Sequence, residues 1–158
     1  MRKEVSADQA KDRHILLAVD ESKSSQRALI YVADFLGGQS GFRITILRII
    51  PEPSEDYFET DSDRHSWLKE HKLTSKDMLD NYRSILIQSG FPDDKVSICL
   101  VSGFCRSVAE CILEQQKKLG CCTVVLGRRV ISRKEEFLFG STSSKMLHTA
   151  KSCALWII

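Results

Sequence analysis

The sequence lacks the features that mark several large classes of protein. Its 23 lysines and arginines nearly balance its 21 aspartates and glutamates, and a net charge of +2 disfavours RNA or DNA as the main partner. No apolar run approaches the roughly 20 residues that span a bilayer, so we expect no membrane-spanning segment. The N-terminal residues lack the apolar core of a secretory signal. We therefore expect a cytoplasmic protein, and its 158 residues suffice for one domain.

Metal and disulfide motifs are also missing, although the chain has six cysteines. It contains no C-x-x-C pair and no histidine at zinc-finger spacing. Because disulfides are rare in the cytoplasm, we expect reduced structural thiols, with Cys99 and Cys153 serving as small apolar residues in strand-like runs. Cys105 differs, since it lies near a predicted helix start, where the positive end of the helix lowers a thiol pKa.

Apolar runs and helical patterns alternate along the whole chain. Short apolar or β-branched runs predict strands at residues 14–19, 43–50, 95–101, 122–126 and 153–158. Helical spacing, closed by glycine or proline, predicts a helix in each interval. Strict alternation predicts an α/β fold, a single doubly wound domain with a five-stranded, mostly parallel sheet and helices on both faces. We assign residues 1–12 to a flexible tail and residues 13–158 to the domain.

Residues 52–66 are polar and rich in carboxylates. They lack the fixed ligand positions and the sharp-turn glycine of a calcium loop. We therefore predict a solvated loop or the frayed start of a helix there, and no metal site.

Candidate ligand-binding residues follow the predicted strands at the edge where doubly wound sheets bind ligands. Asp20 follows the first strand, Ile49 lies near the end of the second, and Gly127 follows the fourth. A basic loop then leads to a hydroxyl-rich helix start at residues 140–144, where unpaired N–H groups suit phosphate oxygens. On the residues alone, an ordinary N-cap and solvated arginines explain that loop better, because no P-loop or dinucleotide fingerprint is present.

The segment from residue 125 to residue 141 resembles the nucleotide-binding motif of the universal stress protein family. That motif reads glycine, two residues, glycine, nine residues, glycine and a small hydroxyl residue. In this sequence those four positions are occupied by Gly127, Val130, Gly140 and Ser141. The opening run at residues 15–22 and the closing run at 140–158 resemble the two ends of the family, so the resemblance covers about residues 13–158.

The resemblance implies a strand order of 3-2-1-4-5 and an adenine nucleotide ligand (ATP, ADP or AMP, with or without Mg²⁺). The family's adenine and ribose contacts carry over to Ala18, Val19, Asp20 and Ile49. Its phosphate-binding positions carry over to Gly127, Gly140, Ser141 and Thr142. Apart from the resemblance, the positive charges of Arg128, Arg129 and Lys145 favour a phosphate and offset part of any affinity lost at position 130. The resemblance also implies a stress-response regulator with an unidentified protein partner, and a homodimer formed by the C-terminal strand.

One position departs from the family motif. Val130 stands where the second glycine belongs, and its branched side chain takes up space that a phosphate needs. If that glycine has positive φ, its loss costs about 1–3 kcal/mol, or roughly tenfold to a hundredfold in affinity. Two hypotheses therefore stand: a nucleotide-binding regulator with weakened affinity, and a nucleotide-free homodimeric interaction module of the same family.

The sequence offers no evident catalytic apparatus. We identify neither a general base for a γ-phosphate nor a carboxylate pair that would hold a catalytic metal, so we expect a binding protein and no enzyme, with slow ATP hydrolysis by positioning alone as the open alternative. A phosphate-accepting receiver domain is disfavoured, because the third strand ends in Ser102 and Gly103 where a receiver needs an aspartate.

Overall fold

The computed structural model describes residues 12–128 and 142–158, which form one parallel sheet covered by helices. The strands are β1 (Arg13–Ala18), β2 (Phe42–Pro51), β3 (Val96–Gly103), β4 (Thr123–Leu126) and β5 (Ala154–Ile157). The helices are α1 (Lys23–Leu36), α2 (Asp61–Gln88), α3 (Val108–Leu119) and α4 (Thr142–Thr149). The predicted alternation of strands and helices is confirmed.

The sheet has the order β3-β2-β1-β4-β5, and each neighbouring pair is parallel. This confirms the predicted α/β class and strand order. β1 is central, with Ile15 in register with Ile44 of β2 and Thr123 of β4. Five of its six residues are buried, as expected for a parallel strand that is covered on both faces.

Two apolar cores lie on opposite faces of the sheet. Ile15 and Leu17 of β1 face the core formed with α1 and α2. Leu16 and Ala18 face the second core, which includes residues of α3 and α4. Successive strand side chains point to opposite faces, so the apolar run from Ile15 to Ala18 contributes to both cores.

Helix α2 begins inside the acidic segment. A short 3-10 turn covers Glu55–Tyr57, and α2 follows from Asp61, where the hydroxyl of Thr60 accepts a hydrogen bond from the Asp63 N–H at 3.1 Å. Asp61 and Asp63 lie in the first turn, where negative charge is favourable to the helix dipole. Of the two predicted alternatives for residues 52–66, the helix start applies from residue 61 onward.

Asp12 is the first described residue and contacts the domain. Asp12, which we assigned to the tail, forms an ion pair with Lys95 at 2.5 Å. The rest of the predicted tail, residues 1–11, lies outside the described residues. None of the helices in residues 12–128 and 142–158 combines the length and the apolar composition of a membrane-spanning segment.

The cysteine prediction is wrong for one pair. Cys105 and Cys111 form a disulfide with a Cα–Cα distance of 6.1 Å, whereas Cys99, Cys121, Cys122 and Cys153 are free. Cys105 lies in the loop after β3 and Cys111 in the first turns of α3. The chain reverses between them, so two thiols six positions apart in sequence come into bonding range.

Candidate functional site

A cavity of about 470 Å³ opens at the carboxyl edge of the sheet. This volume lies within the range of small-molecule sites in proteins. The ends of β1, β2 and β4 and the first turns of α1, α3 and α4 line it. The chain leaves β1 toward β2 on one side and returns through β4 on the other. The cavity therefore occupies the switch point where doubly wound folds bind their ligands.

Asp20 links the end of β1 to the start of α1. Its Oδ1 accepts hydrogen bonds from the Ser22 N–H and the Ser25 hydroxyl, both at 2.9 Å. The Asp20 N–H in turn donates to the Ser25 hydroxyl oxygen at 2.9 Å. This network holds a carboxylate at the cavity wall in a set position, while the Ser22 hydroxyl accepts from the Ser25 N–H and caps α1.

Three helices begin at the cavity. The cavity wall includes residues from the start of each: Ser22, Ser24 and Ser25 at α1, Val108 at α3, and Thr142 and Ser143 at α4. The first N–H groups of a helix lack partners within the helix, and its dipole places positive charge there. The side of the cavity that these helix starts surround therefore suits an anion such as a phosphate.

Gly127 lies where β4 ends and is packed tightly against α1. A Cβ atom added there would lie 2.1 Å from the Ser24 carbonyl oxygen and 2.8 Å from the Ser25 backbone nitrogen. Its φ is not positive. The glycine is therefore required by the close approach of the α1 backbone. The family resemblance had implied only a role in phosphate binding for this position.

A wall of the cavity is apolar. Leu47 and Ile49 of β2, together with Val108 and Ile112 of α3, line it, and all four belong to or pack against the second core. Val19 lies beside them, and its N–H donates to the Leu47 carbonyl at 2.9 Å. This surface suits a flat, weakly polar group.

Arg48 and Glu21 form an ion pair at the cavity. The Arg48 Nη2 lies 2.9 Å from Glu21 Oε1 and 3.0 Å from Oε2. The Arg48 side chain is 15% exposed and that of Glu21 57%, so the pair reaches from the sheet to the surface. Solvent screening keeps the strength of such a pair modest, and its main effect is to position the guanidinium.

The structure brings together all six described residues that the sequence and the family resemblance assigned to the nucleotide site. Ala18, Val19, Asp20, Ile49, Gly127 and Thr142 all line the cavity. Arg129, Val130, Gly140 and Ser141 lie outside the described residues. Sequence reasoning missed Arg48, although a charged residue between Leu47 and Ile49 was a usable signal. It also missed Val108 and Ile112, because the pattern of α3 alone does not show which residues meet β2.

No metal centre is found in residues 12–128 and 142–158. Histidine, cysteine, aspartate and glutamate side chains form no group of three or more there that could hold an ion. The carboxylates of Asp20 and Glu21 both lie at the cavity but serve different partners, the α1 start and Arg48.

The sequence profile of the universal stress protein family matches residues 12–158. No curated protein is similar enough in sequence to be matched to this chain. Among solved structures, a universal stress protein from Lactobacillus plantarum is 16% identical with a TM-score of 0.71, and the match covers 94% of this chain and 98% of that one.

Two similar structures contain nucleotides. A universal stress protein from Archaeoglobus fulgidus in complex with dAMP is 17% identical with a TM-score of 0.63, covering 94% of this chain and 98% of that one. A universal stress protein in complex with cAMP is 15% identical with a TM-score of 0.69, covering 94% and 97%. At these identities the likeness shows a shared fold.

Proposed function

Because the chain belongs to the universal stress protein family, we propose that it binds an adenine nucleotide in the cavity and acts as a stress-response regulator, not as an enzyme. One observation carries the proposal: the cavity joins an apolar wall, a positioned carboxylate and three helix starts in one volume of about 470 Å³. These are the three environments that a base, a ribose and a phosphate chain need. The complexes of two family members with dAMP and cAMP support it.

The base and ribose belong at the β1 and β2 ends. Leu47, Ile49 and Ile112 offer an apolar surface for a purine, and backbone groups at residues 18 and 19 supply polar atoms beside it. A carboxylate accepts hydrogen bonds from vicinal hydroxyls, so Asp20 is the ribose partner. Its bonds to Ser22 and Ser25 set the direction of the carboxylate before a ligand arrives.

The phosphates belong between Gly127 and the starts of α1 and α4. Hydroxyls of Thr142 and Ser143 lie there beside the helix N–H groups. In our proposal Arg129, Gly140 and Ser141 complete this end, and Val130 lowers the affinity. The preference among ATP, ADP and AMP follows from how many phosphates that loop accepts.

Calorimetric titration with ADP, ATP and AMP, each with and without Mg²⁺, tests the proposal. Asp20→Asn removes the charge that accepts the ribose hydroxyls, and we expect a loss of about tenfold to a hundredfold in affinity. Asp34→Asn is the matched control, because Asp34 is exposed on α1 away from the cavity. Absence of binding to the unmodified protein at millimolar ADP contradicts the proposal. ATP turnover at the rate of an ordinary enzyme, about one per second or faster, contradicts its non-enzymatic part.

A second candidate function is a nucleotide-free homodimeric interaction module, which the C-terminal edge supports. The Ala154 N–H donates to the carbonyl of Cys122, just before β4, and the Ile158 N–H donates to that of Leu126 at the end of β4. Successive strand N–H groups alternate, so those of Leu155 and Ile157 face away from β4. Phe35, 54% exposed, packs edge-to-face on Trp156 with 6.1 Å between ring centroids. An apolar strand edge of this kind favours pairing with a second copy.

Light scattering after size exclusion tests the dimer. Ile157→Pro removes an outward N–H while leaving the bonds of Ala154 and Ile158 to β4, and we expect a monomer. Lys151→Pro serves as the control for an added proline near the C-terminus, since residue 151 precedes β5. A monomeric unmodified protein contradicts the dimer. A dimer that does not bind ADP favours the interaction module.

A further inference from the structure

The disulfide between Cys105 and Cys111 encloses the start of α3. The enclosed residues include Ser107, whose hydroxyl caps the helix by accepting from the Glu110 N–H at 3.2 Å. The bond therefore joins the loop that follows β3 to the first turn of the helix. A covalent link over six positions restricts the conformations open to this loop.

The same turn of α3 forms part of the cavity wall. Val108 lies between the two half-cystines and Ile112 directly follows Cys111, and both line the cavity. Cys111 is buried within the second core together with Leu47 and Ile49, and Cys105 packs against that core. The disulfide thus fixes one end of the surface that we assign to the base.

The bond is within reach of a reagent in solution. Cys111 is only 8% exposed, but Cys105 is half-buried and follows Phe104, which is 81% exposed. An attacking thiolate therefore reaches the sulfur of Cys105 more easily than that of Cys111. In a compartment that keeps thiols reduced, which the sequence predicts, the disulfides that do occur are mostly transient or redox-sensing.

We propose that Cys105 and Cys111 form a reversible thiol–disulfide site whose oxidation state controls nucleotide affinity, an inference that rests on the proposed function. Its reductant is a dithiol and its oxidant a peroxide. The cavity wall at Val108 and Ile112 is the physical link between the pair and the ligand.

The chemistry balances in both directions. A thiolate of the dithiol attacks Cys105 Sγ, the Cys105–Cys111 bond breaks, and Cys111 leaves as a thiolate that takes up a proton. The second thiol of the dithiol then displaces Cys105, which also takes up a proton, and the dithiol becomes a disulfide. In reverse, hydrogen peroxide oxidises one thiol to a sulfenic acid with release of one water, and attack by the second thiol on that sulfur releases a second water and closes the bond.

The oxidised form binds nucleotide more tightly. With the bond closed, the start of α3 is already held in the conformation that lines the cavity, so less conformational entropy is lost on binding. We expect reduction to weaken ADP binding by about fivefold or more, the lower end of common coupling between sites. By linkage, saturating ADP makes reduction of the pair less favourable by the same factor.

The inference is tested by calorimetric titration with ADP of the oxidised protein and of the protein reduced with dithiothreitol. Intact mass spectrometry verifies the reduction as a gain of two hydrogens. Cys105→Ser and Cys111→Ala are expected to bind as the reduced protein does and to lose the response to the dithiol. Two variants are used because Cys111 is buried and its replacement risks the fold, whereas Cys105 is half-buried. Cys122→Ser is the control, an exposed free cysteine at the other end of the sheet.

The outcomes separate the two proposals. Three results overturn the redox control alone: equal ADP affinities in the two redox forms, tighter ADP binding by the reduced form, or failure of peroxide to re-form the disulfide. If neither form binds ADP, the proposed function fails and this inference fails with it. The site is supported if the oxidised form binds ADP more tightly than the reduced form. This difference between the two forms must be lost in both cysteine variants and kept in Cys122→Ser.

Discussion

Replacing Gly127 by alanine tests the packing of the cavity against α1. The added methyl group would lie 2.1 Å from the carbonyl oxygen and 2.3 Å from the carbonyl carbon of Ser24. Side-chain carbons do not approach backbone atoms closer than about 3.0 Å in real structures. Because the obstructing atoms belong to the first turn of α1, that turn must move by roughly an ångström, and no side-chain rotation relieves the clash.

The cost follows from this displacement. Overpacking against atoms that cannot yield costs about 1–3 kcal/mol in unfolding free energy. For a domain of this size each kcal/mol lowers Tm by about 2–4 °C. We expect a drop of roughly 2–12 °C, measured by circular dichroism, and a lower urea midpoint followed by the fluorescence of the two tryptophans. We also expect about tenfold weaker ADP binding, since the α1 start moves with Ser24.

Gly41→Ala is the control for loss of a glycine as such. Gly41 has a φ of +84°, and nothing lies within 4 Å of its added Cβ, so the substitution strains the backbone without a clash. It lies before β2, at the edge of the sheet opposite the cavity. We expect lower stability with unchanged ADP affinity. If Gly127→Ala has an unchanged urea midpoint, the α1 start yields easily and our explanation of this glycine is wrong.

Two further predictions concern the motif and the free thiols. Val130→Gly restores the family motif and should raise ADP affinity by roughly tenfold, and an unchanged affinity in calorimetry would refute the steric argument. Maleimide labelling at pH 8, mapped by mass spectrometry, should modify the exposed Cys122 first and Cys121 last. Burial raises the pKa of Cys121 to about 11, so about one Cys121 side chain in a thousand is a thiolate at pH 8. Equal labelling rates for Cys121 and Cys122 would contradict the burial of Cys121.

The fold could be predicted because its signals are local. The apolar run of β1 marks a strand buried on both faces, and the polar cluster at Ser22 marks the start of α1. Parallel strands joined by helices all end at one edge, so Asp20, Ile49 and Gly127 were expected to lie near one another, and all three line the cavity. The strand order came from the family resemblance and matches the sheet.

Other parts of the site depended on contacts between distant segments. Arg48 meets Glu21 across 27 positions, and the α3 residues Val108 and Ile112 reach the cavity only through packing on β2. Cysteine spacing alone did not distinguish a free thiol from the Cys105–Cys111 bond, because that pairing requires the chain reversal at the start of α3.

By itself the sequence determined the α/β class, the elements and the edge of the sheet that carries the cavity, since apolar periodicity and helix caps act between near neighbours. Only the tertiary structure decided why residue 127 is a glycine, which α3 side chains form the apolar wall, and which cysteines are bonded. Each of these depends on the distance between backbone segments that are separated along the chain or reversed by a turn. Steric exclusion and covalent geometry act on those distances, and a one-dimensional pattern does not contain them.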